Sequence, residues 1–211
     1  MSEYHKIQTV FKRDPATNHK TLLLGEWSIP EFQYLADNEW EFTEKVDGTN
    51  IRVMIRDGVV QFGGKTDSAQ IPATLVDRLN ERFQTITARQ RLAEVFPDGA
   101  CLYGEGYGAK IQKGGGNYRQ DQDFVLFDVL VGNFWLQRPD VVDIADKLDL
   151  EAVPAIGHGS LHDMIDIVQN GIVSRWGGFP AEGIVARPAV EFMTRNGSRI
   201  ITKLKTRDFA R

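Results

Sequence analysis

The sequence predicts an α+β fold of mainly antiparallel sheets with flanking helices. Strand-like segments of apolar residues outnumber helix-like ones, and many are joined by short turns such as Asp57-Gly58 and Asn196-Gly197. Strands and helices also do not alternate, as βαβ units would require. With 211 residues, the chain suffices for one substantial core and is short for two, so residues 1–211 are expected to form a single domain.

Residues 7–11 read as a strand, followed by a polar, turn-rich loop from Lys12-Arg13-Asp14-Pro15 to Lys20. Leu22-Leu23-Leu24 reads as a buried strand closed by Gly25, and residues 29–35 as a short helix begun by Pro30. Alternating apolar residues at Trp40 and Phe42, and again at Ile51, Val53 and Ile55, predict two strands. Asp47-Gly48-Thr49-Asn50 then forms the turn between them and puts Lys45 at its mouth. The second strand runs on to Arg56, turns at Asp57-Gly58 and returns over residues 59–62, ending in the turn Gly63-Gly64-Lys65-Thr66-Asp67.

Residues 74–96 have helical spacing, with Leu75, Leu79, Phe83 and Ile86 on one face and a division at Thr85-Ile86-Thr87. Pro97-Asp98-Gly99 ends this stretch, and a strand over 101–107 carries Glu105. The segment 110–118 is glycine-rich but lacks the Gly-Lys-Ser/Thr ending of a phosphate-binding P-loop, so it reads as a plain loop. Residues 122–131 form a continuous apolar strand that turns at Gly132-Asn133 and returns through Phe134-Trp135-Leu136.

Two amphipathic helices follow. One spans 139–148, with Val141, Ile144, Ala145 and Leu148 on its apolar face; the other is capped by Ser160, buries Leu161, Met164, Ile165 and Val168, and ends at Gly171. His158 and His162 are four apart, but a helix starting at Ser160 separates them, which argues against a shared metal. Residues 182–186 read as a strand, and residues 190–193 and 200–204 as a hairpin around Asn196-Gly197.

Composition narrows the function classes. The apolar and charged fractions are those of a globular protein. The first residues, Met1-Ser2-Glu3-Tyr4-His5-Lys6, lack the apolar run of a signal peptide, and no later run would span a bilayer, so an intracellular, cytoplasmic location is expected. A single cysteine, Cys101, agrees with a reducing compartment. A formal net charge of -4 gives no support to a broadly basic nucleic-acid binder. Yet residues 187–211 hold seven Lys or Arg against two acids, a basic tail on an acidic body. Such a tail suits a polyphosphate or nucleic-acid surface, or an ordinary solvated strand pair.

The chemistry centres on Glu44-Lys45-Val46-Asp47-Gly48-Thr49-Asn50. A lysine amine is a nucleophile only when neutral, which needs partial burial or neighbouring cations. The flanking strands offer the first, and Lys203-Leu204-Lys205 the second. A solvated hairpin lysine is the competing reading.

Lys45-x-Asp47-Gly48-x-Asn50 resembles motif I of the covalent nucleotidyltransferases, which comprise DNA ligases, RNA ligases and mRNA capping enzymes. Downstream, in that superfamily's order, Leu102-Tyr103-Gly104-Glu105-Gly106 resembles motif III and Phe124-Val125-Leu126-Phe127-Asp128 resembles motif IIIa. Ala181-Glu182-Gly183-Ile184-Val185-Ala186-Arg187-Pro188 is similar to motif IV, and Thr202-Lys203-Leu204-Lys205 to motif V. Five matches in order are a specific signal, although Phe127 taken singly also reads as core, and Glu105 or Glu182 as a satisfied strand-end carboxylate.

The resemblance implies a ligase-type adenylation domain in which Lys45 attacks the α-phosphorus of ATP and holds AMP as a phosphoramidate. It implies that Lys203 and Lys205 offset phosphate charge and help to keep Lys45 neutral, both facing one side of a strand. Glu105 would bind ribose or help order the metal, Phe127 would stack on adenine, Glu182 would hold Mg2+ or Mn2+, and Glu44 would lie near the base. Lys65 stands where related ligases carry an arginine that contacts nucleotide phosphate or the nucleic-acid end.

Asn50, where DNA ligases and capping enzymes usually have arginine, makes Lys-x-x-Gly-Thr-Asn more like the bacteriophage RNA ligase 2 group. The sequence ends six residues after Lys205, without room for an appended OB-fold. A minimal RNA ligase-type adenylyltransferase is therefore expected, with a virus-encoded origin as one option, joining 5′-phosphate and 3′-hydroxyl RNA ends, including nicked duplexes. The tail from Arg187 to Arg211, or a partner protein, would grip the nucleic acid. A small ATP-dependent DNA ligase and a non-catalytic RNA-end or nucleotide-binding module are the alternatives.

Overall fold

A computed structural model describes residues 3–209; Ala210 and Arg211, the end of the basic tail, lie outside the described residues, as do Met1 and Ser2. The architecture is α+β with mostly antiparallel pairing, as the sequence predicts. The chain divides into two compact units and passes between them after His5, Val46 and Val153.

The first unit opens with β1 (Gln8–Thr9), β2 (Phe11–Arg13), β3 (Leu22–Trp27), α1 (Pro30–Tyr34) and β4 (Trp40–Lys45). The chain then builds the second unit from β5 (Thr49–Arg56), β6 (Val59–Gly63), α2 (Ala73–Phe83), α3 (Ile86–Val95), β7 (Ala100–Gly108), β8 (Gln122–Val131), β9 (Phe134–Trp135), α4 (Arg138–Leu148) and β10 (Glu151–Ala152). It returns to complete the first with β11 (Ala155–Gly159), α5 (Leu161–Gln169), β12 (Gly183–Pro188) and β13 (Thr202–Lys205).

The main sheet of the first unit has the order β1-β13-β12-β4-β11, and β2 pairs β3 apart from it. Only β1 joins this sheet in parallel. Trp40 and Phe42 of β4 are fully buried against Leu161, Met164, Ile165 and Val168 of α5. That helix starts as predicted, with Ser160 and Asp163 forming a reciprocal capping box.

The second unit has the sheet order β10-β8-β7-β5-β6. Ile51, Val53 and Ile55 face a core shared with Leu75, Leu79 and Phe83 of α2 and Val141 and Ile144 of α4. Beside this core, the buried carboxylate of Asp123 pairs with Arg78, Arg82 and Arg119. Burial pushes that carboxyl up, but hydrogen bonds from Arg82 and Arg78 outweigh it and hold Asp123 well below the usual carboxylate range.

Several local expectations are corrected. The first strand breaks at Val10, so Lys12 and Arg13 lie on β2 rather than in a loop. Gly25 does not close the next strand; β3 continues to Trp27, and Leu24 is exposed because the β2–β3 ribbon buries only one face. The Asp47-Gly48 turn joins no hairpin, since β4 and β5 belong to different sheets, and Thr49 and Asn50 already lie on β5.

Ile86 is exposed because α2 stops at Phe83, and the Thr85 hydroxyl, accepting from Ala88 N, starts a new helix whose phase is independent of the first. The hairpin around Asn196-Gly197 reduces to a single bridge, Met193 with Arg199, since both edges of β13 are taken by β1 and β12. Among the described residues no helix is long and apolar enough to cross a membrane.

Asp123→Asn removes the charge that three arginines share. It is expected to cost about 3 kcal/mol in urea unfolding, the low end for a broken buried pair because the arginines are partly exposed. A depressed carboxyl contributes stability above its unfolded pKa and loses it as pH falls through the folded one. The wild type should therefore weaken steeply below the usual carboxylate range, and the variant less so.

Candidate active site

The backbone register of the first unit brings three motifs to one line. Gly183, the first residue of β12, pairs with Lys45 at the end of β4 on one side and with Lys205 at the end of β13 on the other. This close approach needs glycine: a Cβ at Gly183 would lie 2.0 Å from the carbonyl oxygen of Leu204. Glu182 precedes it, just outside the strand, and its carboxylate lies between the two lysines. Lys45 Nζ donates to Glu182 Oε2 at 2.7 Å, and Lys205 Nζ donates to Oε1 at 2.6 Å.

The three side chains are only 18%, 12% and 17% exposed for Lys45, Glu182 and Lys205. Burial pushes the Glu182 carboxyl up, but the charge of Lys45 and the hydrogen bond from Lys205 outweigh it, so the carboxyl titrates below its ordinary range. Lys203 and Lys205 are half-buried while Thr202 and Leu204 are buried, the alternation that puts both lysines on one face of β13.

The sequence places cations around Lys45; the structure adds a carboxylate among them. Two half-buried ammonium groups without a counter-charge would be costly, and Glu182 supplies it. Like-charge crowding alone therefore does not describe the environment of Lys45.

Glu44, one residue earlier on β4, points away from Lys45 in the pleat and is buried at 1% exposure. One of its oxygens accepts from the Arg175 backbone N–H at 2.8 Å, while Oε1 is buried without a hydrogen-bond partner. A buried, unsatisfied acceptor is expensive unless a ligand completes it.

The second unit holds the remaining sequence candidates. Asn50 on β5 pairs directly with Glu105 on β7, and Asn50 Oδ1 is a second buried acceptor without a partner. A β-bulge leaves Phe127 as the extra residue of β8, since Tyr103 pairs with Asp128 and Gly104 with Leu126. The bulge re-aims both Phe127 and Asp128 toward the sheet face away from the helices. Phe127 meets Tyr4 edge-on at 5.1 Å, and the Tyr4 hydroxyl donates to Asp128 at 2.7 Å.

Lys65 is exposed in the loop after β6. Its loop is fastened by Arg52, buried at 1%, which donates to Gly64 O and Asp67 Oδ1. Glu182 and Glu105, both expected at the metal, belong to different units. Among the described residues no group of three or more His, Cys, Asp or Glu is placed to hold an ion.

Several contributors escape sequence reading. The glycine-rich segment is tied to the motif I turn: Gln112 Nε2 donates to Gly48 O at 3.0 Å, and the Tyr118 hydroxyl accepts from Asp47 N at 3.2 Å. A Cβ at Gly48 would lie 2.2 Å from Gly106 O, so the turn packs directly on β7. Gly108 and Gly115 pack as closely, so this segment is an ordered part of the unit. Only the glycine of Lys-x-Asp-Gly hinted at such an approach. The basic tail is also divided: Arg187 and Arg199 are buried, the latter paired with Glu191, and neither is available to nucleic acid.

The RNA ligase family matches residues 38–205, which contain every motif above. The chain belongs to the RNA ligase family. No curated protein sequence matches it. Among solved structures it is similar to the RNA ligase of Naegleria gruberi with pyrophosphate, at 18% identity and TM-score 0.69 over 97% of this chain and 56% of that one. A variant of that ligase with AMP and manganese gives 16% identity and TM-score 0.69 over the same shares, 97% and 56%. Another, with ATP and manganese, gives 18% and 0.65 over 84% of this chain and 52% of that one. This RNA ligase family member thus spans little more than half the length of those proteins and shares their fold.

Gly183→Ala is expected to cost about 1–3 kcal/mol by overpacking and to disturb the Lys45–Glu182–Lys205 line. Thermal unfolding checks the first effect. Ala186→Gly, on the same strand, provides a comparison without the clash.

Proposed function

We propose that the chain is an ATP-dependent RNA ligase-type adenylyltransferase that joins 5′-phosphate to 3′-hydroxyl RNA ends through AMP carried on Lys45. The observation that supports this most is Lys45 held beside Lys205 by Glu182, at the meeting of motifs I, IV and V. The comparison structures with ATP, AMP and pyrophosphate agree with that chemistry.

In the first step the neutral amine of Lys45 attacks the α-phosphorus of ATP. The N–P bond forms, the bond to pyrophosphate breaks and the amine proton is lost. An oxygen of the RNA 5′-phosphate then attacks the AMP phosphorus, and the P–N bond breaks as Lys45 regains its proton. Finally the 3′-hydroxyl attacks the 5′-phosphorus of RNA-adenylate, and AMP leaves with the old phosphoanhydride oxygen. Nicked duplexes fit the same sequence of steps.

Lys203 and Lys205 offset the charge that develops on the phosphate. Glu44 Oε1 and Asn50 Oδ1 are acceptors that lack partners; the first suits the amino group of adenine and the second a ribose hydroxyl beside Glu105. Phe127 offers a ring for the base, and Lys65 a cation for phosphate or the nucleic-acid end.

The residues also fit a divalent ion of the magnesium or manganese type. Such ions are commonly held by one or two carboxylates together with substrate phosphates rather than by an all-protein cage. Glu182, already ionised, would hold the ion; when bound, the ion neutralises phosphate charge.

Incubation with α-labelled ATP and magnesium should label the wild-type chain through a bond that survives denaturing electrophoresis. Lys45→Ala should show no label, and Lys205→Ala should form enzyme–AMP about 100-fold more slowly or worse. An unlabelled wild type would favour a non-catalytic binding module. Equal sealing of nicks ending in 3′-ribose and 3′-deoxyribose would favour a DNA ligase.

A further inference from the structure

The first unit contains a groove of about 890 Å³ that the assignments above leave unused beyond Lys203 and Lys205. Its walls come from β1, the β2–β3 ribbon and the end of β13, and they hold seven Lys or Arg side chains against one carboxylate, Asp208. That carboxylate is already committed: it accepts from Arg13 at 2.8 Å and from the Lys205 backbone N–H at 3.2 Å. Even with Glu182 on Lys205 and Glu26 on Lys12 taken into account, the groove remains positive on a chain whose formal net charge is -4.

From these features we propose that the groove holds the sugar-phosphate backbone of the RNA strand whose 5′-phosphate reacts. This rests on the adenylyltransferase reading. Lys205 belongs both to the groove and to the Lys45–Glu182–Lys205 line, so the groove reaches the reacting centre. Its outer rim is Lys12 and Lys20, with Lys6 on the segment before β1; all three are exposed. The contact of Lys12 with Glu26, at 3.4 Å between side chains more than half exposed, is weak enough for phosphate to replace.

The rim has a defined shape. Asn18 and His19 both take left-handed backbone angles, at φ 55° and 60°, and His19 N donates back to Asp14 O, which turns the chain toward Lys20. Arg13 ties this ribbon to Asp208, just beyond β13.

Two features favour a nucleic-acid backbone over other ligands. The volume exceeds what a pyrophosphate group alone would fill and lies near the upper end for small-molecule sites. Among the described residues, the walls carry no Phe, Tyr or Trp on which bases would stack. Recognition should therefore be electrostatic and indifferent to base sequence.

The test uses Lys12→Ala/Lys20→Ala, with Lys12→Arg/Lys20→Arg as the charge-preserving control. Binding of 5′-phosphorylated RNA, followed by anisotropy, should weaken at least tenfold in the alanine variant. The slope of log affinity against log salt should fall by about 1.4, two phosphate contacts at about 0.7 each on a single strand, while the arginine variant keeps both. Preformed enzyme–AMP of each variant, mixed with that RNA in a single turnover, should give proportionately less RNA-adenylate at subsaturating RNA. Reversal by pyrophosphate, which regenerates ATP, should be unaffected.

Unchanged RNA binding and salt slope would overturn the proposal. So would a loss confined to the pyrophosphate reaction, which would make the groove a site for the leaving group, or a strong dependence on base sequence. A wild type that forms no enzyme–AMP yet shows the expected binding changes would leave the groove assignment standing and refute the catalytic one.

Discussion

The carboxylate of Glu182 between the ammonium groups of Lys45 and Lys205 is the interaction on which the first unit is organised. Two cations on separate strands of one sheet repel, and at this degree of burial water screens that repulsion poorly. One acid with two oxygens satisfies both and fixes the spacing of β4, β12 and β13 at their ends. Gly183 lets the backbones approach closely enough for the pairing, because a side chain there would strike Leu204 O. The same carboxylate gives Lys45 a neighbour that substrate or a divalent ion must displace or share before the amine is released, which couples ligand binding to the proposed chemistry.

Motif I has a second architectural role. It carries the chain from the sheet of one unit to that of the other, and Gly48 lets the passage pack against β7. The strand before it ends in Glu44 and Lys45, and the strand after it begins with Thr49 and Asn50. Glu44 Oε1 and Asn50 Oδ1 are left as buried acceptors without partners. Folding rarely leaves a buried acceptor unmatched without a functional reason, so each of these atoms is open to a hydrogen-bond donor from a ligand.

Much of this was legible from residue patterns. The helix faces at Leu75 and Leu79, the cap at Ser160, the fold class and the face shared by Lys203 and Lys205 all follow from local periodicity and capping, which short-range sterics and burial enforce. Expectations failed where pairing partners decided the outcome. The segment around Asn196-Gly197 has the turn chemistry of a hairpin, yet β13 was already paired on both edges. Ile86 fits the apolar stripe of one long helix, but the Thr85 cap begins another. Phe127 is aimed by a bulge that no residue pattern announces.

By itself, the sequence determined the fold class, the family and which residues carry charge or a nucleophile, because motif order and hydrophobic period are one-dimensional properties. Only the tertiary structure decided that Glu182 stands between Lys45 and Lys205, that Arg187 and Arg199 are buried, and that Lys12 and Lys20 share a groove with Lys205. Those are relations between segments far apart in the chain. They are set by strand register and by the need to neutralise charge wherever water is excluded.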